Sequence, residues 1–129
     1  MSEITVTLDQ TTDPWTLDVS DQDLDVPQNA NAAPITWRLS DMPSGISWAN
    51  DTEHQPLTWL VNAPQPGIFT DHVVNGEAFT LNDHNDNSSS VGAWSYQLCV
   101  TDGEGNYYFT SNTSSPKAGG GSAPTITNQ

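Results

Sequence analysis

Apolar and polar residues alternate from position 94 onward, and this pattern sets the reading of the chain. Trp94, Tyr96, Leu98 and Val100 alternate with Ser95, Gln97, Cys99 and Thr101, the period-2 signature of a half-buried strand. The stretch DGEGN follows, with two glycines able to take the positive φ values a tight turn demands. Tyr107, Tyr108, Phe109 and Thr110 then supply a return strand, so residues 94–110 predict a β-hairpin. The same period appears in Ile4, Val6 and Leu8, in Trp15, Leu17 and Val19, and in Ile35, Trp37 and Leu39. Shorter extended segments are expected at Leu24 and Val26, at Ile46 and Trp48, over 57–61, over 68–74, at Phe79 and Leu81, and over 125–127.

Turn signals separate these segments: Asp13-Pro14, Pro27, the run MPSG, Pro64 to Gly67, and Asn75-Gly76. No window of eleven or more residues carries a helical apolar face. The fold class expected is all-β: two packed, mainly antiparallel sheets of about seven to nine strands in one domain over residues 1–129, with under about a tenth of residues helical. A Ser- and Gly-rich segment at 111–123 is expected to be flexible. Trp37, Tyr96, Leu98 and Val100 are the expected core. Residues 124–128 are expected to add a last strand to their own domain.

Composition sharpens this picture. Leu, Ile, Val and Phe number 24 of 129, under the fifth at which high net charge begins to favour disorder. Five Trp and three Tyr act against that, since each large ring can bury ~150–250 Å². Sixteen acids face only Arg38 and Lys117, for a net charge of −14. Such a surface lacks the basic footprint of a nucleic-acid binder and is repelled by anionic membranes. The N-terminal residues show neither a basic region nor an apolar run, which reads as cytoplasmic, with an exported mature form as the alternative. Cys99 is the single cysteine, so no disulfide forms within the chain.

WRLSDMPSGISW followed by WSYQLCVTDGEGN resembles bacterial immunoglobulin-like domains. In these a Trp sits on an inner strand, and a late strand carries a tyrosine, alternating apolar residues and a glycine-rich hairpin. By this resemblance Trp37 is the inner-strand tryptophan. Tyr96 stands at the tyrosine-corner spacing, with Leu98 where a disulfide cysteine would be. The layout, with its closing APTITN, is also similar to small bacterial β-sandwich proteins of the DP-EP kind. The resemblance implies an immunoglobulin-like antiparallel β-sandwich and brings no catalytic residues.

Several acidic clusters invite a cation. Asp21, Asp23 and Asp25, with Asp18 nearby, have the alternate spacing of a calcium loop's first ligands, and a hard cation wants many oxygens at once. The Gly and distant Glu of an EF-hand are missing, and a solvated acidic edge that deters aggregation explains the run better. Asp102, Glu104 and Asn106 form a second oxygen-rich turn, and Asn82, Asp83, Asp86 and Asn87 a third. For these, hairpin geometry and an ordinary polar loop are the favoured readings.

His54, His72 and His84 lack local zinc spacing. Cys99 is followed by no His or Met, against a blue-copper site, and is expected to be buried and inert. No serine lies in a G-x-S-x-G elbow, and Asp71-His72 is an acid–base pair of the kind chance supplies. Trp48, Trp59 and Tyr108 are candidates for outward faces, where rings can stack on a sugar or bury in a partner, although core packing is the stronger reading.

The expectation is therefore a non-enzymatic binding or structural module without a cofactor, acting on a protein or carbohydrate, as a monomer or weak homo-oligomer. Its alternatives are a calcium-dependent module, or a hydrolase using scattered carboxylates.

Overall fold

A computed structural model of the chain describes residues 2–11, 13–60, 63–110 and 123–129. Eleven strands run through them: β1 (Ser2–Asp9), β2 (Thr16–Val19), β3 (Asp23–Val26), β4 (Ala33–Leu39), β5 (Ser47–Trp48), β6 (Leu57–Trp59), β7 (Phe69–Asn75), β8 (Ala78–Asp83), β9 (Gly92–Thr101), β10 (Tyr107–Phe109) and β11 (Thr125–Asn128). One 3-10 turn, Ser88–Ser90, is the only helical element among them. At 3% helix and 51% strand the protein is all-β. The Ser- and Gly-rich segment at 111–123 lies outside the described residues except for Ala123, which is buried.

The 94–110 hairpin forms, with β9 starting two residues early. Tyr107, Tyr108 and Phe109 pair antiparallel with Thr101, Val100 and Cys99. In its turn Gly103 and Gly105 have φ of +79° and +92°, where a Cβ would be strained.

β9 is long enough to serve four partners. One of its edges takes β11 along Gly92 to Ser95 and then β10; the other takes β6 at Tyr96 to Leu98 and then β5 at Val100 and Thr101. From there the ladder runs β3-β11-β9-β10-β2-β1-β4-β8-β7, and the step from β10 to β2 is a single pair, Phe109 with Thr16.

The expected strand count needs correction. Among the described residues there are eleven strands rather than about seven to nine, because the short extended segments, 46–48 and 57–61 included, each pair as a strand of their own. The pairing is mainly antiparallel, as expected, but mixed: β1 with β4, β2 with β10, and β3 with β11 run parallel. Alternation sets which face a residue takes, but parallel and antiparallel partners satisfy it equally. The last strand does pair within its own domain, set between β3 and β9 rather than at an edge.

The core explains why this register is chosen. Ile4, Trp37 and Phe79 align across β1, β4 and β8, with Ile35 and Leu81 paired beside them, all inward and at most 2% exposed. Tyr96, Leu98 and Val100 meet them from β9 at 0%. The Trp37 Nε1–H donates to the Tyr96 hydroxyl over 3.0 Å, and the two rings pack edge-on at 5.4 Å. Burial pushes the Tyr96 phenol far above its ordinary pKa, against the smaller, opposing pull of the Trp37 hydrogen bond. Ring contacts then run unbroken from Trp48 through Phe79, Trp37, Tyr96, Trp59 and Phe69 to Trp94. This chain of rings fills volume that the scarce aliphatics cannot.

We expect Trp37→Ala to lose ~3–5 kcal/mol of unfolding free energy, since it opens a cavity and leaves the Tyr96 hydroxyl buried without its donor. Denaturant titration of the purified variant measures this, and near wild-type stability would contradict the assignment of Trp37 to the centre of the core.

Candidate functional site

The connection from β5 to β6 departs from β9 and returns to it. The Ala49 amide donates to the Cys99 carbonyl, and the Cys99 amide donates to the Pro56 carbonyl. Between these two anchors residues 50–55 bulge outward, held by Asp51. Its Oδ1 accepts the amides of Glu53 at 2.9 Å and His54 at 2.7 Å, while Oδ2 accepts the Tyr107 hydroxyl at 3.0 Å. Gln55 Nε2 donates to the Asp51 carbonyl at 2.5 Å. The main-chain bonds to its carboxylate hold the Asp51 carboxyl below its ordinary pKa, the His54 amide most of all. The hydrogen bond to Asp51 in turn raises the Tyr107 phenol.

The loop brings His54 flat against Tyr107, with ring centroids 3.6 Å apart and planes 12° from parallel, and 6.2 Å from Phe109. Tyr107 and Phe109 pair with Thr101 and Cys99, so they lie on the outer face of the sheet, half-exposed. On the other side of the loop is a cavity of about 160 Å³, lined by Asn50, Gln55, Pro56, Leu57, His72, Val74 and Phe79. Pockets that enclose a whole small molecule run ~300–1,000 Å³, so this one suits a single ring or side chain of a larger ligand. Polar Asn50, Gln55 and His72 border an apolar floor there, and the rings of Tyr107 and Phe109 flank the same loop.

The other candidates fall elsewhere. Asp23 and Asp25 lie exposed on one face of β3, which ends the ladder, with Leu24 and Val26 turned inward; Asp21 precedes the strand. Asp23 Oδ1 accepts the Thr127 hydroxyl at 2.7 Å. Asp18 sits on β2, opposite Thr7. Among the described residues no three His, Cys, Asp or Glu side chains gather to hold a metal. Asp102 is used by its own turn: Oδ1 accepts the amides of Glu104 and Asn106, and Oδ2 accepts Asn106 Nδ2 at 2.7 Å, which lowers its pKa. Glu104 is exposed.

Asp71 and His72 form a bulge in β7, where pairing with β8 skips from Thr70 to Val73 and Asp71 has φ of +58°. Such an irregularity suits an end strand, because it spoils the edge for a foreign partner. His84 Nε2 bonds the Thr70 hydroxyl at 2.7 Å.

Cys99 is buried as expected, although it faces outward; the 50–56 loop and Phe109 flank it. Burial, reinforced by the charge of Asp51, pushes its thiol up to about 12, so it is no nucleophile at neutral pH. Trp48 is not on an outward face. It is 4% exposed and donates from Nε1 to the Glu77 carbonyl at 2.9 Å. Trp59 and Tyr108 are half-buried, Trp59 against Phe69 at 4.5 Å and Tyr108 stacked on Trp15 at 5.3 Å. In the return arm the outward rings are Tyr107 and Phe109 rather than Tyr108, because Tyr108 pairs with inward-facing Val100; neither was singled out by the sequence.

The segment from Asn82 to Asn87 is more than a polar loop. Asn87 caps the 3-10 turn, and Asp86 accepts from Asn87 Nδ2. Asp83 and Asn85 are buried with Ser90 and Asn128. Asn85 Nδ2 donates to the Val26 carbonyl at 2.8 Å, the Ser90 hydroxyl donates to Asn85 Oδ1 at 2.8 Å, and Asn128 Nδ2 donates to Asp83 Oδ1 and to the Ser90 carbonyl, each at 3.0 Å. Burial lifts the Asp83 carboxyl to about 6.

No family model, no curated protein and no solved structure matches the chain. No described helix is long and apolar enough to cross a membrane.

The depressed pKa of Asp51 means its hold on the loop is full above the ordinary carboxylate value and is lost as pH falls through its lower folded value. Amide shifts of Glu53 and His54 should titrate together in that acid range, and Asp51→Asn should abolish the shared titration. Separately, calcium and magnesium at equal millimolar concentration should raise the melting temperature alike, as general screening of −14 charge does. A rise specific to calcium and lost in Asp23→Asn would overturn that expectation.

Proposed function

We propose that the protein is a non-enzymatic immunoglobulin-like β-sandwich module of bacterial type, which binds a carbohydrate through the surface around the 50–56 loop. One observation carries this reading: two half-exposed outer-face rings, Tyr107 and Phe109, share a loop with a small cavity rimmed by amide and imidazole groups. A sugar ring has apolar C–H faces that pack on aromatic faces, and hydroxyls at its rim that need directional partners. The Tyr107 and Phe109 rings on one side of the 50–56 loop and Asn50, Gln55 and His72 on the other offer both to a run of sugars long enough to cross it. The electrostatics agree with a binding role, because Asp51 is committed to main-chain amides and the Cys99 thiol is far from ionising at neutral pH.

The sandwich reading is supported by the edge-on packing of Trp37 against Tyr96 and by the late hairpin. The immunoglobulin-like assignment rests on that packing together with the sequence resemblance.

Affinity electrophoresis through gels containing soluble polysaccharides (xylan, mixed-linkage glucan, dextran and a bacterial capsular glycan) tests the reading. Retardation by one polysaccharide, reduced at least about tenfold in Tyr107→Ala and in Gln55→Ala at unchanged melting temperature, is the expected result. Unretarded migration in all of them, with capture of a protein partner abolished by the same variants, would replace the carbohydrate by a protein ligand.

A further inference from the structure

The polar cluster that closes one end of the molecule is incompletely bonded at two atoms. Asp83 Oδ2 and Asn128 Oδ1 are both enclosed, and neither has a donor among the described residues. They belong to side chains already joined by the bond from Asn128 Nδ2 to Asp83 Oδ1. Both groups are planar, and a carboxylic acid and a carboxamide are complementary: each presents a donor and an acceptor to the other. An ionised Asp83 leaves two acceptors buried without a donor, which is costly. One hydrogen on the carboxyl supplies what is missing. A metal ion is the poorer solution, since a hard cation needs about six to eight oxygens, and no three His, Cys, Asp or Glu side chains gather among the described residues.

We propose that Asp83 is a neutral carboxylic acid in the closed fold, that its proton completes a cyclic pair with the Asn128 carboxamide, and that loss of this proton frees β11 from β8. The pair spans the molecule in a useful way. Asp83 ends β8, in register with Ala33 of β4 and Phe69 of β7. Asn128 ends β11, which lies between β3 and β9. The proton therefore joins β8 and β11, each one strand in from an end of the ladder and far apart along it.

The charged groups on the elements packed there are few. On its own segment Asp83 has His84, whose positive charge opposes the upward shift, and Asp86. β7 carries Asp71, bonded to Asn82, and His72. β4 carries Arg38 at its far end, paired with Glu3 and Glu77. β3 carries Asp23 and Asp25, and the Gln129 main-chain oxygen accepts from Asn85 Nδ2. The 3-10 turn, β9 and β11 bring nothing that titrates near neutrality.

The sign follows from linkage. A carboxyl whose folded pKa lies above its unfolded one stabilises fully below the unfolded value, and that stabilisation is lost as pH rises through the folded value. Here the window runs from about 4 to about 6.

The wild-type protein, carbon-13 labelled, provides the first measurement. The Asp83 Cγ resonance should titrate with a midpoint near 6, well above Asp9, Asp51 and Asp102, whose hydrogen bonds lower their pKa values. Hydrogen exchange is the second. The Thr125 and Gln129 amides, bonded to the carbonyls of Gln22 and Val26, report on β11. Corrected for intrinsic rate, their opening should increase roughly a hundredfold between about pH 4 and 7, tenfold for each pH unit that separates the folded and unfolded pKa values of Asp83. They should also open more readily at neutral pH than the amides of central β4. In Asp83→Asn a second carboxamide keeps a donor and an acceptor, so β11 should stay protected and its opening become independent of pH. A Cγ midpoint near the ordinary value of about 4 would overturn the proposal, as a buried water serving an ionised carboxylate would produce. So would β11 amides that open no more readily than those of β4, or a loss of β11 protection in mildly acid solution in Asp83→Asn.

Discussion

The contact between the Trp37 indole and the Tyr96 phenol is the constraint on which the remaining structure depends. β4 and β9 are not ladder neighbours, and the hydrogen-bonded route between their halves narrows to one pair, Phe109 with Thr16. Side-chain packing therefore has to close the fold. A tryptophan and a tyrosine do this in a way two leucines cannot, because their polar atoms satisfy one another inside the core. The contact is directional, so it fixes the relative position of the two halves as well as attracting them. The line of rings from Trp48 to Trp94 extends this arrangement to both sides.

Much of this was legible. Alternation located β1, β4, the β9–β10 hairpin and the inward set Trp37, Tyr96, Leu98 and Val100, because period 2 directly encodes face. Partner choice was not legible. Nothing in Thr125 to Asn128 announces that β3, about a hundred residues earlier, lies parallel beside it. Nor does alternation reveal what covers an outward residue. Cys99 points away from the core and is buried because the 50–56 loop returns over β9. The candidate site was hidden for the same reason: His54 is about fifty residues from Tyr107 and Phe109 and meets them only through that loop. For Trp48 the stronger reading, core packing, holds, but the sequence does not show that its indole finds the Glu77 carbonyl there.

The acids divide by environment more than by sequence. Asp9, Asp51 and Asp102 each fold a short loop around their own carboxylate, drawing in amide or hydroxyl hydrogens that favour the charged form. Asp83 stands in an interior where desolvation dominates and the neutral form is favoured. Runs of aspartate that look alike on paper therefore act as turn builders, as edge charges, or as part of the core. A net charge of −14 is tolerated because most of these charges face water.

The parallel pairing of β3 with β11 has a consequence for the order of events during synthesis. β3 leaves the ribosome about a hundred residues before its ladder partner does. At ~5–20 residues per second, that is a wait of roughly 5–20 s with the strand still unpaired. A nascent chain in this state is open to joining the wrong strand. Asp23 and Asp25, spaced to project from one face of that strand, give it a repulsive guard through the interval. When β11 arrives, Thr127 bonds Asp23, and one of the two guarding charges becomes part of the finished sheet.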